Sequence, residues 1–470
     1  MDELKNIAQE DIAELISIVG EEYVITDLDS RKDFGHDETE DFNYPPEVVV
    51  IPGSVEEVSK VVSYANSKHI PVTAIGAQTG LSGGALSVFG GIGLSMKRFN
   101  RILDIDERNY QATVEPGVIT QVFYDACKEK GLFYPPDPSS WGSCTLGGNL
   151  AYNSGGPKAV KYGVTNQYVL NLEVVLPNGE VIWTGANVLK NSTGYNLTQL
   201  MVGSEGTLGI ITKAVFKLIP HPTEDLTLLV PFTSAEKACA AVEAIFRAGI
   251  VPAGMEFMEK DAIDWTLKYV NDVQVPTGDD IQAHLLIELD GNSQEQLFQD
   301  AEKIAEIVED YDAKEALLAD SQAQRDALWK LRRRVGEAVK SHSIYKEEDT
   351  VVPRAELPLL LKGVKKIGEK YGFKSVCYGH AGDGNLHVNI VKADMSDQAW
   401  NDELPKGIRE IFELVKSLGG TISGEHGIGW VQKNYLDVVF NSANMAAQKA
   451  IKKALDPNGI LNPGKIFPDA

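Results

Sequence analysis

Residues 135–156 read PPDPSSWGSCTLGGNLAYNSGG, a run of Gly, Ser, Thr, Asn and Pro with few large apolar side chains. Its backbone N–H and C=O groups need partners wherever it is buried, and its side chains cannot build a core. Two more segments share this texture: IGAQTGLSGGA (75–85) and VGSEGTLGII (202–211). Of the 43 glycines in the chain, 21 fall between Gly76 and Gly209, a density that costs backbone entropy. Three polar, glycine-rich segments in one domain suit a large ligand with many hydrogen-bonding groups, such as a nucleotide cofactor. The first lacks the GKS or GKT ending of an ATPase loop and does not match GxGxxG.

Working outward, β-rich runs flank these segments: EVVVIP (47–52), IPVTAI (70–75), YQATVEPG (110–117), YVLNLEVVLPNGEVI (168–182) and LGIITKAVFKLIP (208–220). Asn178-Gly179 predicts a hairpin. SVEEVSKVVSYANSKH and TQVFYDACKEKG carry helical periodicity, with Ser54 and Thr120 as expected N-caps. Beyond His221-Pro222 glycine thins, and strand-like and helix-like runs alternate as in an antiparallel sheet covered by helices. A single helix is expected over 322–342, carrying Arg332, Arg333 and Arg334. The fold class is α+β, with no repeat or low-complexity segment. The expected parts are an N-terminal helical segment (1–43), a cofactor-binding domain (44–220), a second domain (221–405) and a C-terminal segment (406–470).

A chain of 470 residues with a formal charge of −23 disfavours nucleic acid and anionic membranes as partners. The excess sits largely in residues 1–60, with 17 acidic and 4 basic side chains, whereas 111–220 carry 7 of each. No apolar stretch of about 18 residues exists to span a bilayer. Cys127, Cys144, Cys239 and Cys377 form no CxxC pair, which fits a reducing, cytoplasmic setting. Peripheral attachment to a membrane chain stays open.

The order TGLSGGA, PPDPSS with TLGGNLAYNSGG, KYGVT, VGSEGTLGI and LDPNGILNPGK resembles the flavin-dependent 2-hydroxyacid dehydrogenases of the vanillyl-alcohol-oxidase type. The resemblance runs from about Pro45 to Lys465. It implies a two-subdomain FAD-binding domain, a substrate (cap) domain with an antiparallel sheet, and a C-terminal segment returning to the flavin. Gly76, Thr79, Gly80 and Leu81 would meet the FAD diphosphate. Pro136, Asp137, Ser139, Gly147, Asn149, Ser154 and Gly155 would follow its ribityl and ring parts, beside Glu205, Gly206 and Ile211. Asn462 and Lys465 would close the site. Many relatives carry Arg and a further glycine in the first loop, where this chain has Ile75 and Gln78. Neither 75–85 nor 135–156 contains a histidine, so non-covalent FAD is expected.

Three of the eight histidines lie in CYGHAGDGNLHVNI and GGTISGEHGIG. Two His and one Glu could hold zinc or another divalent metal, but the spacing is not HExxH, and on the residues alone turn-capping histidines are the better explanation. The resemblance implies the first: His380, His387 and Glu425 as ligands, His426 as acid/base and Asn389 on the substrate, with Asp383 and Asn385 holding the turn. It also matches Arg332 to an arginine for the substrate carboxylate, a group that guanidinium binds bidentately. Lys346 matches a family lysine with one extra residue of spacing. Gly336 stands where D-2-hydroxyglutarate dehydrogenases have threonine, which favours a small acid such as D-lactate or glycolate.

The expected activity is thus oxidation of a D-2-hydroxy acid with FAD and a divalent metal, zinc being the simplest choice. A D-2-hydroxyglutarate dehydrogenase is one alternative and a flavin-binding subunit of an oxidase complex without its own chemistry another, and a metal hydrolase would leave the glycine-rich segments unexplained. The sequence leaves open the electron acceptor, a protein or a quinone, and whether the chain forms a homodimer.

Overall fold

Short strands separated by capped helices account for most of the chain, and the two halves solve the burial problem differently. The computed structural model describes residues 4–39 and 42–468. Residues 1–3, 40–41 and 469–470, within the expected terminal segments, lie outside it. Two compact units divide the chain: one reaches to Ser154 and adds Val164–His221 and everything from Glu425 on, the other is Gly155–Gly163 with Pro222–Gly424.

The first unit holds two main sheets. Strands β1 (Val24–Ile25), β2 (Val48–Val50), β3 (Val72–Ile75) and β4 (Ile92–Ser95) stand in the order β1-β2-β4-β3, with β4 parallel to both β2 and β3. Helix Val55–Lys68 joins β2 to β3 and buries Val58, Val61, Val62 and Ala65 at helical spacing. Ser54 caps it as expected, its hydroxyl accepting from Glu57 N at 3.2 Å, an arrangement worth about 1 kcal/mol. The second sheet, β5 (Ile102–Asp106), β6 (Gln111–Val114), β8 (Val169–Val175), β9 (Val181–Trp183) and β10 (Ile210–Lys217), is antiparallel in the order β5-β6-β10-β8-β9. The Asn178-Gly179 hairpin joins β8 to β9, with Gly179 at φ 86°. The pair β7 (Leu132–Phe133) and β11 (Ile219–Pro220) completes the unit's strands.

Thr120 corrects an expectation. The helix Thr120–Lys128 has Ile119 as N-cap and no side-chain cap. The Thr120 hydroxyl turns inward and accepts from Asn149 Nδ2 at 2.7 Å. Its packing partner outcompetes the local cap.

The second unit is built on one sheet: β12 (Glu224–Phe232), β13 (Gly254–Glu259), β14 (Ala283–Gly291), β15 (Leu317–Leu318), β16 (Tyr345–Val351), β17 (Lys374–Gly379) and β18 (Asn385–Val391). The order is β15-β12-β14-β13-β17-β18-β16, antiparallel throughout. Leu331, Val335 and Val339 pack with Met258, Leu286, Tyr345, Val376, Tyr378 and Val391 on one face. The single helix expected over 322–342 is two, Gln322–Arg333 and Val335–His342, broken at Arg334 with ψ near 4°. Residues 155–163 join this unit through Lys158–Glu288, Lys161–Asp290 and the Tyr162 hydroxyl on Asp290.

Candidate active site

The three glycine-rich segments and the C-terminal strip all contribute to the first unit. Gly147 opens helix Leu146–Tyr152 against Pro116, donating to its carbonyl at 2.7 Å, and a Cβ there would lie 2.6 Å from Pro116 Cβ. Gly80 and Gly84 leave room for the Tyr152 ring; a Cβ on Gly84 would meet its hydroxyl at 2.0 Å. Gln78 takes φ 59°, a left-handed conformation that glycine adopts freely. Its amide donates to Asp33 O at 3.1 Å and so ties the loop down.

Glu205 also sits at positive φ, 52°, and its carboxylate accepts from Ile428 N at 2.8 Å and Gly429 N at 2.7 Å. Burial pushes its pKa up to about 7 despite those bonds and Lys465. Asn462 Nδ2 donates to Gly84 O at 2.9 Å and Glu205 O at 2.8 Å. Lys465 Nζ donates to Leu86 O and, at 3.1 Å, to Asn462 Oδ1; burial draws its pKa down to about 7, partly opposed by Glu205 and Asp37. Asn462, Lys465 and Glu205 therefore stitch the first loop, the third segment and the chain's end together. Pro136, Asp137 and Asn149 are buried, Thr79, Gly80, Leu81, Ser154, Gly206 and Ile211 half-buried, and Gly76 and Ser139 exposed. Gly155 groups with the other unit, apart from the rest of its predicted set.

This cradle retains unspent polar capacity. Thr145 Oγ1 is buried with no partner among the described residues, and a Cβ on Gly76 would come within 2.9 Å of it. Asp37 Oδ2 and Ser87 Oγ are likewise orphaned. Buried polar atoms of this kind ordinarily bond a ligand or water, so the donors and close-approach glycines fit a dinucleotide. Gly429 shows how tightly the strip after His426 is held. A Cβ there would meet Ser82 O at 2.1 Å, and φ is 51°. Gly429→Ala is expected to cost about 1–3 kcal/mol, read as a lower Tm, with slower turnover because the same strip carries His426. Unchanged Tm and activity would contradict that account. His426 Nε2 lies 3.7 Å from Glu425 Oε1.

The second unit gathers the other candidates on one sheet face. Directly paired residues present side chains to the same side. The pairs Tyr378↔His387, Asp349↔His387, Glu347↔Asn389 and Met258↔Tyr378 therefore place these groups together. The His380 and His387 rings lie 5.3 Å apart between centroids, both buried. His387 Nδ1 is 3.3 Å from Glu347 Oε1. His380 Nδ1 is 2.8 Å from Glu256 Oε1, and Arg332 Nη2 is 2.6 Å from Glu256 Oε2. Burial raises the Glu256 pKa, but the charges of His380 and Arg332 more than offset this and hold it below the usual glutamate range. Arg332 is 3% exposed, lies over the Tyr378 ring, and has no acceptor for Nε among the described residues. Asn389 is 0% exposed and neither amide atom has a partner among them.

Lys346 is not brought to this group. It pairs with Ile390, one residue out of phase with Asn389, and its ammonium lies 5.5 Å over the Trp400 ring. Arg334 is exposed and paired with Glu337, and Arg333 lies over Trp329, as solvated positions of a helix do. Asn385 holds the turn by donating to Asp349 Oδ1 at 2.7 Å. Asp349 Oδ2 also accepts from Ser423 Oγ at 3.0 Å and Gly424 N at 2.8 Å, which fixes the residues immediately before Glu425 and His426. Glu256 and Glu347 were not singled out from sequence. The signal for Glu256 is a carboxylate inside the apolar strand GMEFME.

Two family models match the chain in order. The FAD binding domain family matches residues 46–185, and the C-terminal domain of FAD linked oxidases matches 221–466. The chain is 40% identical over 457 residues to glycolate oxidase subunit GlcD of Bacillus subtilis, covering 97% of this chain and 96% of that protein. It is 40% identical to a D-lactate dehydrogenase of Anaerostipes hadrus over 93% of both. Against a D-2-hydroxyglutarate dehydrogenase of Stutzerimonas stutzeri the identity is 35%, over 97% of this chain and 98% of the relative. Among solved structures, p-cresol methylhydroxylase superposes with a TM-score of 0.79 at 20% identity, covering 98% of both chains, which speaks to the fold alone. With both halves matched in order and full-length relatives at this identity, the chain belongs to the FAD-linked oxidases and has their vanillyl-alcohol-oxidase-type α+β fold.

Proposed function

We propose that the chain is an FAD- and divalent-metal-dependent dehydrogenase that oxidises a D-2-hydroxy acid to the 2-oxo acid, with D-lactate or glycolate ahead of 2-hydroxyglutarate. The carrying observation is the face where two buried imidazoles stand beside a buried guanidinium and an asparagine with both amide atoms unspent. The names of the relatives support the substrate class: all three are enzymes of 2-hydroxy acids.

His380, His387 and Glu425 are the proposed metal ligands. The donor set fits: a ligating histidine ordinarily gives its other ring nitrogen to a carboxylate, as His380 Nδ1 does to Glu256. A bound divalent cation supplies the Lewis acidity that makes a hydroxyl acidic near neutral pH. Bound FAD supplies the acceptor for the hydride from the α-carbon. The chain's own groups do the rest. Arg332 receives the carboxylate, Asn389 orients the substrate through hydrogen bonds, and His426 takes the hydroxyl proton, a role within reach of a side chain of ordinary pKa about 6.5. Gly336 offers no group for a second carboxylate, and a Cβ there would lie 3.2 Å from Tyr378 Oη, so the space beside this helix position is already taken by a side chain of the sheet.

An anaerobic panel of D- and L-2-hydroxy acids, followed by loss of flavin absorbance, tests this reading. Reduction by D-lactate or glycolate and not by L-lactate is expected. An oxidised flavin throughout would favour the subunit without its own chemistry. FAD is also expected to stay in the supernatant on acid precipitation, and a yellow pellet would contradict non-covalent binding.

A further inference from the structure

We propose that Glu256 is a positioning residue that sets two parts of the site at once, orienting His380 for the metal and Arg332 for the substrate carboxylate. This rests on the function proposed above. Glu256 lies in β13, paired with Leu286 of β14, and is 0% exposed. Its two carboxylate oxygens are divided between two partners: Oε1 stands 2.8 Å from His380 Nδ1, and Oε2 stands 2.6 Å from Arg332 Nη2. An accepting carboxylate at Nδ1 fixes the proton there and leaves Nε2 as the lone pair available to a metal. On the other side, the same group pairs by charge with a guanidinium of five N–H donors, whose Nε and Nη2 make no hydrogen bond among the described residues and keep that capacity for a substrate carboxylate. His380 follows the end of β17 and Arg332 lies in the helix Gln322–Arg333, so one carboxylate of β13 reaches two separate elements. The single carboxylate thus locks the spacing between the metal ligand and the anion-binding arginine.

The chemistry gives a sharp test. Glutamine fills the same volume but offers one acceptor and one donor, while both partners are donors. It can satisfy His380 or Arg332, not both. Glu256→Gln is therefore expected either to weaken metal binding about 10–100-fold or to raise the KM for the best D-2-hydroxy acid by at least about tenfold, with FAD content retained. Metal affinity is read on the flavin-loaded enzyme by Zn²⁺ and Mn²⁺ competition with a chromophoric chelator, independently of turnover. Glu256→Asp keeps two acceptors and is expected to lose less than Glu256→Gln. A side chain that merely fills space predicts the reverse, glutamine harmless and the smaller aspartate damaging, and that order would overturn the proposal.

Wild-type enzyme supplies a second measurement should a variant not fold. The ¹⁵N spectrum of histidine-labelled protein is expected to show His380 protonated at Nδ1, assigned by its loss in His380→Gln. An unprotonated Nδ1 would overturn the proposal. If wild-type enzyme binds neither cation, the metal reading fails and this proposal with it. If wild-type binds metal and Glu256→Gln matches it in affinity and KM, this proposal alone fails.

Discussion

Replacing His426 with alanine is expected to slow anaerobic flavin reduction by D-2-hydroxy acids by about 10²–10⁴-fold, the usual contribution of a positioned acid/base group. FAD content and Tm should change little. Anchors of this strip include Glu205 on the backbone of residues 428–429 and Ser423 and Gly424 on Asp349, and these do not use the imidazole. The measurement is stopped-flow loss of flavin absorbance at saturating acid. A variant that reduces its flavin at the wild-type rate with every acid tested would remove His426 from the chemistry.

The second large effect is at Arg332. Arg332→Ala leaves Glu256 buried beside His380 alone among the described residues, and uncompensated buried charge costs about 3–5 kcal/mol. The Tm should fall accordingly. At the same time the KM for the hydroxy acid should rise about 10–100-fold, the worth of a charge-assisted hydrogen bond or two. Arg332→Lys keeps the charge and separates the effects: most stability should return, while the KM stays raised because a point charge cannot replace the guanidinium fork. Full recovery of KM by lysine would mean that Arg332 serves only to neutralise Glu256.

These two residues also mark what could be read from the sequence and what could not. The flavin half was legible because its evidence is local: glycine density, the Asn178-Gly179 turn and the polar runs at 75–85, 135–156 and 202–211 each carry their meaning in a few residues. Ser54 was legible as a cap for the same reason. Thr120 was not, because its inward partner Asn149 is distant in sequence and the cap rule sees only neighbours. Glu256 was invisible by the same logic, since its partners lie 76 and 124 residues away, one in a covering helix and one just past β17, and meet it only in the folded chain. Lys346 shows how fine that dependence is. One residue of offset along β16 puts it with Ile390 instead of Asn389, and so on the opposite face. The extra residue between Lys346 and Asp349, noted in the sequence, has that structural consequence.

The charge distribution takes on a clearer meaning as well. Most of the negative excess lies in the first 60 residues, while the buried Arg332 and Lys465 side chains stand where an anionic substrate and an anionic cofactor are proposed to bind. Arg332 stands against the Glu256 carboxylate and Lys465 donates to the Leu86 carbonyl, so both side chains are positioned before any ligand arrives.

The most direct measurement is anaerobic flavin reduction by D-lactate and glycolate in one enzyme sample, recorded as purified, after chelation, and after Zn²⁺ or Mn²⁺ is returned. Rapid bleaching as purified, loss of about 10²-fold or more on chelation with FAD still bound, and recovery on metal addition are expected. Bleaching that chelation leaves unchanged would contradict the metal, and a flavin that no D-2-hydroxy acid reduces would contradict the activity itself.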